Sequence, residues 1–226
     1  MDFIKTKIFL STSNDIYENL AIENELLLNI NSDEKYLFFY VNNPCVVLGR
    51  FQNPFEECDL IKMQENFVKL ARRQSGGGTV YHDRNNLNYS FIHGTRDHFK
   101  DVNHQIILRA LTSYDIKASA SGRSDLIVQT PGLDKKFSGS AFKQKKDSSF
   151  HHGTLLVNSN LVKLNSYLLP INSKVKSKSI KSNRSTVVNL TELSESLTID
   201  GLIHEISKEF NNYYKTKTEI LNIHSY

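Results

Sequence analysis

At 226 residues, with 39% hydrophobic and 23% charged side chains, the chain is long enough to bury a substantial core and too balanced for extended disorder. Its net charge of +4, from 28 Lys+Arg against 24 Asp+Glu, is too mild to mark a nucleic-acid binder. Two cysteines, Cys45 and Cys58, stand outside any C-x-x-C or His-spaced pattern, which excludes a zinc framework and suits a reducing compartment.

In chain order, a strand is expected at 7–10. A helix follows over about 15–30, with Tyr17, Leu20, Ala21, Leu27 and Leu28 on one face and Ser13 or Asn14 as its cap. The runs 36–41 and 45–48, parted by Asn42-Asn43-Pro44, read as buried adjacent strands. A short helix near 60–65 precedes sheet-like segments at 67–73, 79–82 and 87–92, broken by Ser75-Gly76-Gly77-Gly78. Helix returns at about 102–113, then strands at 125–129, 136–143 and 152–157. An amphipathic helix at 199–214, capped by Thr198, carries Leu202, Ile203, Ile206 and Phe210 inward, and a strand at 218–223 closes the chain. This order predicts an α+β fold with mixed, largely antiparallel sheets flanked by helices, and without repeat or linker it reads as a single domain, 1–226. The first ten residues lack the apolar run of a secretory signal, and no segment nears the ~20 apolar residues of a membrane span. A soluble intracellular protein is expected, with neither nucleic acid nor membrane as partner.

The chemistry concentrates at Arg72-Arg73-Gln74-Ser75-Gly76-Gly77-Gly78-Thr79-Val80-Tyr81-His82-Asp83. Glycines let backbone N–H groups approach an anion, and a guanidinium forks onto phosphate or carboxylate oxygens, so the stretch reads as an anion cradle. A Walker A loop is excluded because no Gly-Lys-Ser/Thr follows, and a dinucleotide fingerprint because a strand follows instead of a helix. Between Asn172 and Arg184 the chain carries Lys174, Lys176, Lys178, Lys181 and Arg184 with no acid, a loop that meets phosphate, meets an acidic protein surface, or is simply solvated. His151-His152 cannot share a metal, since neighbours on a strand face opposite ways.

The glycine stretch, with Asn86 and Asn88 after it, resembles the signature of the lipoate-protein ligase A family. Three further blocks resemble it in the same order: Gly122-Arg123-Ser124-Asp125-Leu126, Lys136-Phe137-Ser138-Gly139-Ser140-Ala141-Phe142-Lys143, and Phe150-His151-His152-Gly153-Thr154-Leu155-Leu156. The stretches from Gly49 to Pro54 and from Arg184 to Glu192 are similar again. Asn85, Ser124, Lys143, Ser179 and Thr186 depart from the family's usual residues, and lysine at 143 cannot reproduce a guanidinium fork.

The resemblance implies the biotin/lipoate ligase catalytic fold and an enzyme that activates lipoate or octanoate with ATP and Mg2+, holding no tightly bound cofactor. The acyl group then passes to a lysine on lipoyl domains of 2-oxoacid dehydrogenase E2 subunits or on the glycine-cleavage H protein. It implies Lys136 as the catalytic residue between acyl carboxylate and α-phosphate, where an ammonium relieves their repulsion. Arg73, Ser75, Gly76, Gly77, Gly78, Thr79, Val80, Tyr81, Asn86, Asp125, Lys181 and Arg184 are implied around the adenylate, with Asp125 also on magnesium. Arg73, Gly78, Ser138, Lys143, His152 and Thr154 are implied around lipoate, and the stretch 178–186 as a lid that keeps water from the acyl adenylate.

A C-terminal accessory domain is expected to be absent. This leaves as alternatives a transferase that uses preformed lipoyl-AMP, and a ligase helped by a separate accessory protein. An octanoyltransferase would need a suitably placed cysteine, which neither Cys45 nor Cys58 offers, while a non-catalytic lipoate-binding module is disfavoured by Arg73, the three glycines and Lys136. Cytoplasm is the expected location, or the mitochondrial matrix in a eukaryote.

Overall fold

The computed structural model describes residues 4–122, 124–130, 132–169, 178–182 and 185–224. Eleven strands and six helices form among them: β1 Lys5–Ser11, α1 Ile16–Asn29, β2 Glu34–Val41, β3 Cys45–Leu48, α2 Pro54–Glu57, α3 Leu60–Glu65, β4 Lys69–Arg72, β5 Val80–His82, β6 Asn86–His93, α4 Lys100–Thr112, β7 Ala118–Ser121, β8 Asp125–Thr130, β9 Leu133–Gln144, β10 Ser149–Leu156, α5 Leu161–Tyr167, α6 Ile199–Tyr214 and β11 Ile220–Ile223. Eight strands make one sheet in the order β11-β1-β2-β6-β10-β9-β8-β7, and β4-β3-β5 make a second. The β11, β1 and β2 pairs are parallel, and every other pair of the large sheet is antiparallel. The expected α+β class with mixed, largely antiparallel sheets is the observed one.

Alternation along the central strands divides the molecule. Leu37 and Phe39 of β2, Leu87, Tyr89 and Phe91 of β6, and Leu155 of β10 pack with Ile106, Ile107, Ala110 and Leu111 of α4 and Leu202, Ile206 and Phe210 of α6. Tyr36, Phe38, Tyr40, Ile92 and Phe150 point the other way, onto Ile22 and Leu27 of α1. Each fully buried aromatic of this kind contributes roughly 1.5–3 kcal/mol of burial free energy. The small sheet and α1 therefore share one face of the large sheet, and the site forms there.

Three local expectations need correction. The 36–41 and 45–48 runs are both buried but are not neighbours: β2 lies in the large sheet and β3 in the small one. The α1 cap is Asp15, whose carboxylate accepts from Tyr17 and Glu18 N–H, in place of Ser13 or Asn14. The buried stripe of α1 is Ile16, Asn19, Ile22, Glu23 and Leu27, while Tyr17 and Leu28 are exposed, because this helix packs polar side chains against the sheet. The strand β7 and the short α2 and α5 had no periodic signal long enough to read.

Behind β10, Asn103 Nδ2 donates to the His98 carbonyl at 2.8 Å and lies 3.3 Å from His151 Nδ1 and 3.4 Å from His93 Nε2. His104 stacks edge-on against His151. Burial holds His93 down to about 3, His104 to about 4 and, across the sheet, His82 to about 3. Each is depressed below the ordinary value near 6.5, so the unfolded chain takes up more protons as pH falls. The stability these neutral imidazoles contribute is complete above about pH 6.5 and is lost on acidification towards their folded values. Thermal melts at constant ionic strength should show Tm falling steeply from pH 6.5 to 4, and a flat profile there would contradict neutral burial.

Candidate active site

The strand β4 ends at Arg72 and turns the chain into residues 73–79. Arg72 stitches the neighbouring turn by donating from Nη1 to the carbonyls of Gly49, Arg50 and Gln52. Arg73 is buried, and burial pulls its guanidinium down to about 10, which still leaves it charged at neutral pH. Its donors are committed: Nη1 to Val47 O, Nη2 to Gly76 O and Gly78 O at 2.7 Å each, and Nε to Ser75 Oγ at 3.0 Å. The arginine thus shapes the loop from inside, turning carbonyls towards itself. Gly77 holds φ of 87°, a conformation that excludes other residues at little cost only for glycine.

Gly49 has no room for a side chain, because a β-carbon there would lie 2.0 Å from the Gly77 carbonyl oxygen. Gly49→Ala must push the glycine loop away, and a displacement of about 1 Å at a site of this kind costs roughly 10²-fold in rate. Turnover with Gly49→Ala should fall by about that factor while the folded core, read by near-ultraviolet circular dichroism, persists.

Ser75 connects the loop to α1. Its hydroxyl accepts from Arg73 and donates to His152 Nε2 at 2.7 Å, and His152 Nδ1 donates to Glu23 Oε1 at 2.8 Å. All three residues are at least 96% buried. The order Ser-His-Glu has the shape of a nucleophilic triad, but Ser75 lines neither adjoining cavity and its oxygen is held by Arg73. The chain of bonds positions the loop.

Two cavities of about 510 Å³ each open beside the loop. One runs across the large sheet, from Tyr40 on β2 past Asn88 on β6, His152 and Thr154 on β10 and Ala141 on β9 to Asp125 on β8, roofed by Gly77, Gly78 and Thr79. The other lies towards α5 and is lined by Val80, Tyr81, Phe137, Ser138, Leu156, Leu164 and Leu168, with Glu56 and Glu57 at its rim. Thr79, Val80, Lys136, Gly139, Thr154, Lys181 and Ser182 border both. Lys136 therefore stands where the two meet, its Nζ 2.8 Å from Asp125 Oδ1. Its backbone is fixed on both sides, by pairing with Ile127 and by bonds to Thr186 O and from Val188 N. A β-carbon on Gly139 would lie 3.0 Å from both Lys136 Cε and Nζ, so glycine there leaves the ammonium its space.

The described part of the lysine-rich segment, 178–182, lies over the loop. Ser182 Oγ accepts from Thr79 N at 2.8 Å and from Gln52 Nε2 at 2.9 Å and donates to Glu57 Oε2, while its N–H donates to Glu57 Oε1 at 3.1 Å. Ser179 Oγ donates to Glu56.

Of the residues singled out from sequence, Arg73, Gly77, Gly78, Thr79, Val80, Tyr81, Asp125, Lys136, Ser138, His152, Thr154 and Lys181 line one cavity or both. Ser75, Gly76, Asn86 and Lys143 lie outside both linings. Asn86 Nδ2 donates to Asn88 Oδ1, and Lys143 donates to Gln74 at an exposed position. Arg184 falls outside the described residues. Sequence reading missed Leu20, Tyr40 and Ala141 as wall residues and Glu23, Gln52 and Glu57 as anchors. For Glu23 a signal existed: it stands on the helix face of Ile16 and Leu27, an acid on a face that also carries apolar side chains. Among the described residues, no cluster of three or more His, Cys, Asp or Glu side chains could hold a metal, and no helix is long and apolar enough to cross a membrane.

A sheet-borne slot and a second cavity thus meet at one ammonium. Comparison with known proteins gives this arrangement its family. The family profile described as lipoyl protein ligase A/B catalytic domain matches residues 15–211. Lipoate-protein ligase A of Bdellovibrio bacteriovorus is 43% identical over 216 residues, covering 96% of this chain and 64% of that protein. The crystal structure of P. falciparum LipL1 in complex with lipoate superposes with a TM-score of 0.85 at 33% identity, covering 96% of this chain and 66% of that one. A bi-partite lipoate protein ligase from Thermoplasma acidophilum, described with its E2 lipoyl domain, gives a TM-score of 0.84 at 26% identity and covers 97% and 88%. The chain belongs to the lipoyl protein ligase A/B catalytic domain family. It spans just under two thirds of the length of the Bdellovibrio relative.

Proposed function

We propose that this chain activates lipoate, or octanoate, with ATP and transfers the acyl group to a lysine of a lipoyl domain. The single observation that carries this is Lys136 at the meeting point of two cavities. The slot across the sheet, walled by Leu20, Tyr40, Val47 and Ala141, suits an acyl chain, and the cavity beside Val80, Tyr81, Leu156 and Leu164 suits an adenosine moiety. The acyl carboxylate and the α-phosphate then both face the Lys136 ammonium.

In this arrangement a carboxylate oxygen attacks the α-phosphorus, the bond to the bridging oxygen breaks, and pyrophosphate leaves. Lys136 acts on the charge that accumulates as the two anions approach, the point at which an ammonium in a confined site contributes most. Magnesium would be held by Asp125 together with phosphate oxygens, since a single carboxylate plus phosphates is a normal Mg2+ environment, and it would neutralise the leaving pyrophosphate. Asp125, paired here with Lys136, is the carboxylate that would hold the ion. The segment 178–182 excludes water from the mixed anhydride. In the second half-reaction an acceptor ε-amine attacks the acyl carbonyl, AMP departs, and the amine loses its proton.

The B. bacteriovorus relative and the lipoate complex of LipL1 support the acyl class. The lipoyl-domain acceptor is supported by the T. acidophilum system, and the glycine-cleavage H protein remains a second candidate. That system, being bi-partite, favours one further reading, in which a separate protein completes activation and this chain carries out transfer. We place the activity in the cytoplasm or mitochondrial matrix, which fractionation can test.

Purified chain with ATP, Mg2+ and lipoate should release pyrophosphate. No release, with rapid transfer from synthetic lipoyl-AMP to an apo lipoyl domain, selects the bi-partite reading. Lipoate binding with neither activity selects a binding module.

A further inference from the structure

The wall of the acyl slot contains a polar group that the reaction chemistry does not use. His82 lies on β5, is 3% exposed, and borders the slot, yet its Nε2 has no hydrogen-bond partner among the described residues. An orphaned buried donor costs roughly 1–3 kcal/mol, so the protein holds this ring in place against a penalty.

The protonation of the ring follows from its neighbours. Asn19 Oδ1 accepts from Ser11 Oγ, while Asn19 Nδ2 donates to Ser13 O at 3.1 Å and to Asn42 Oδ1 at 2.8 Å. With its oxygen engaged, Asn42 presents Nδ2 to His82 Nδ1 at 2.9 Å. Nδ1 is thereby an acceptor, and a neutral ring must carry its hydrogen on Nε2. Burial and the nearby Arg73 keep the ring neutral. The unpartnered atom is therefore an N–H donor.

Its place in the slot is equally defined. Asn42 follows β2 directly, whereas Lys136 is on β9, three strands away through β6 and β10. At normal strand spacing those two strands, β2 and β9, are about 14 Å apart. Bonded to Asn42 and lining the slot together with Tyr40 of β2, the donor is on the β2 side of it, where the tail of an acyl chain would lie if its carboxylate faced Lys136. An unsubstituted eight-carbon tail ends in a methyl group that accepts nothing. A dithiolane ring offers two sulfurs, weak but polarisable acceptors.

Building on the acyl-binding reading above, we propose that His82 is a specificity residue: its Nε2–H donates to a dithiolane sulfur and favours lipoate over octanoate. Asn19 and Asn42 are its positioning residues, acting through the tautomer they impose.

The test is calorimetric binding of (R)-lipoate and of octanoate to the whole chain, unmodified and as His82→Phe, His82→Gln and Asn42→Leu. His82→Phe should lower lipoate affinity roughly three- to tenfold more than it lowers octanoate affinity, with near-ultraviolet circular dichroism as the folding control. His82→Gln, whose amide can place an N–H near the Nε2 position, should retain the preference. Asn42→Leu, which leaves the ring but frees its tautomer, should weaken it. Equal loss for both acids, or an undiminished preference in His82→Phe or Asn42→Leu, overturns the proposal. Failure of the unmodified chain to bind either acid would instead contradict the acyl-binding reading on which it rests.

Discussion

Lys136→Ala should lose about 10³-fold in pyrophosphate release and remain as stable as the unmodified chain. The two halves of this expectation come from different physics. Lys136 and Asp125 are each partly solvent-exposed, with side-chain exposures of 24% and 32%, so their ion pair is screened and its removal changes stability by only about 0–1 kcal/mol. During reaction the same ammonium faces two anions whose mutual repulsion grows on approach, and one preorganised donor on developing charge is worth roughly 10²–10³. Since Lys136 would serve both carboxylate and phosphate, the upper end applies. Arginine at 136 should not rescue, because a broad planar guanidinium does not reproduce a compact ammonium placed between two anions. Steady-state pyrophosphate assays alongside thermal melts decide the matter. A large fall in Tm with proportionate loss of rate would make Lys136 a structural residue.

Glu23→Ala should act in the reverse manner, destabilising the protein and impairing catalysis from a distance. Glu23 is 97% buried and its carboxylate accepts from His152, which holds Ser75, which in turn receives the Arg73 Nε–H. Truncation leaves His152 Nδ1–H without a partner in the interior and opens space beside α1, a combined cost of roughly 2–4 kcal/mol. His152 is then free to turn, Ser75 loses its acceptor, and the carbonyls of Gly76 and Gly78 are held less firmly around Arg73. A rate loss of about 10- to 100-fold is expected, at temperatures where the variant is still folded. Glu23→Gln preserves an acceptor for His152 and should keep most of both. If Glu23→Ala were inactive and Glu23→Gln equally so, a charge-dependent role for the carboxylate would replace the positioning one.

The contrast between these residues explains what could be read from the sequence. Lys136, Gly139, Asp125 and the 73–81 stretch are contiguous blocks, and each block folds as one strand or loop, so the motif carries its geometry with it. The long amphipathic α6 was legible because Leu202, Ile203, Ile206 and Phe210 repeat at helical spacing, and all are buried. Glu23 is different: its partner His152 lies 129 positions away, and only the docking of α1 on the sheet joins them. The same reason hid Tyr40 and Leu20 from the cavity wall and put β2 and β3 in separate sheets, since strand pairing across the chain is decided by tertiary packing and not by the turn between neighbours. His82 was visible, but its unpaired Nε2 was not, because the tautomer depends on Asn19 and Asn42 from two other elements.

The most direct measurement is the intact mass of an apo lipoyl domain after incubation with this chain, ATP, Mg2+ and lipoate, repeated with synthetic lipoyl-AMP in place of ATP and lipoate. The expected result is a single added lipoyl group on one lysine, absent when Lys136→Ala is used with ATP and lipoate. An acceptor domain left unmodified under both conditions, by a chain that is folded, would contradict the account.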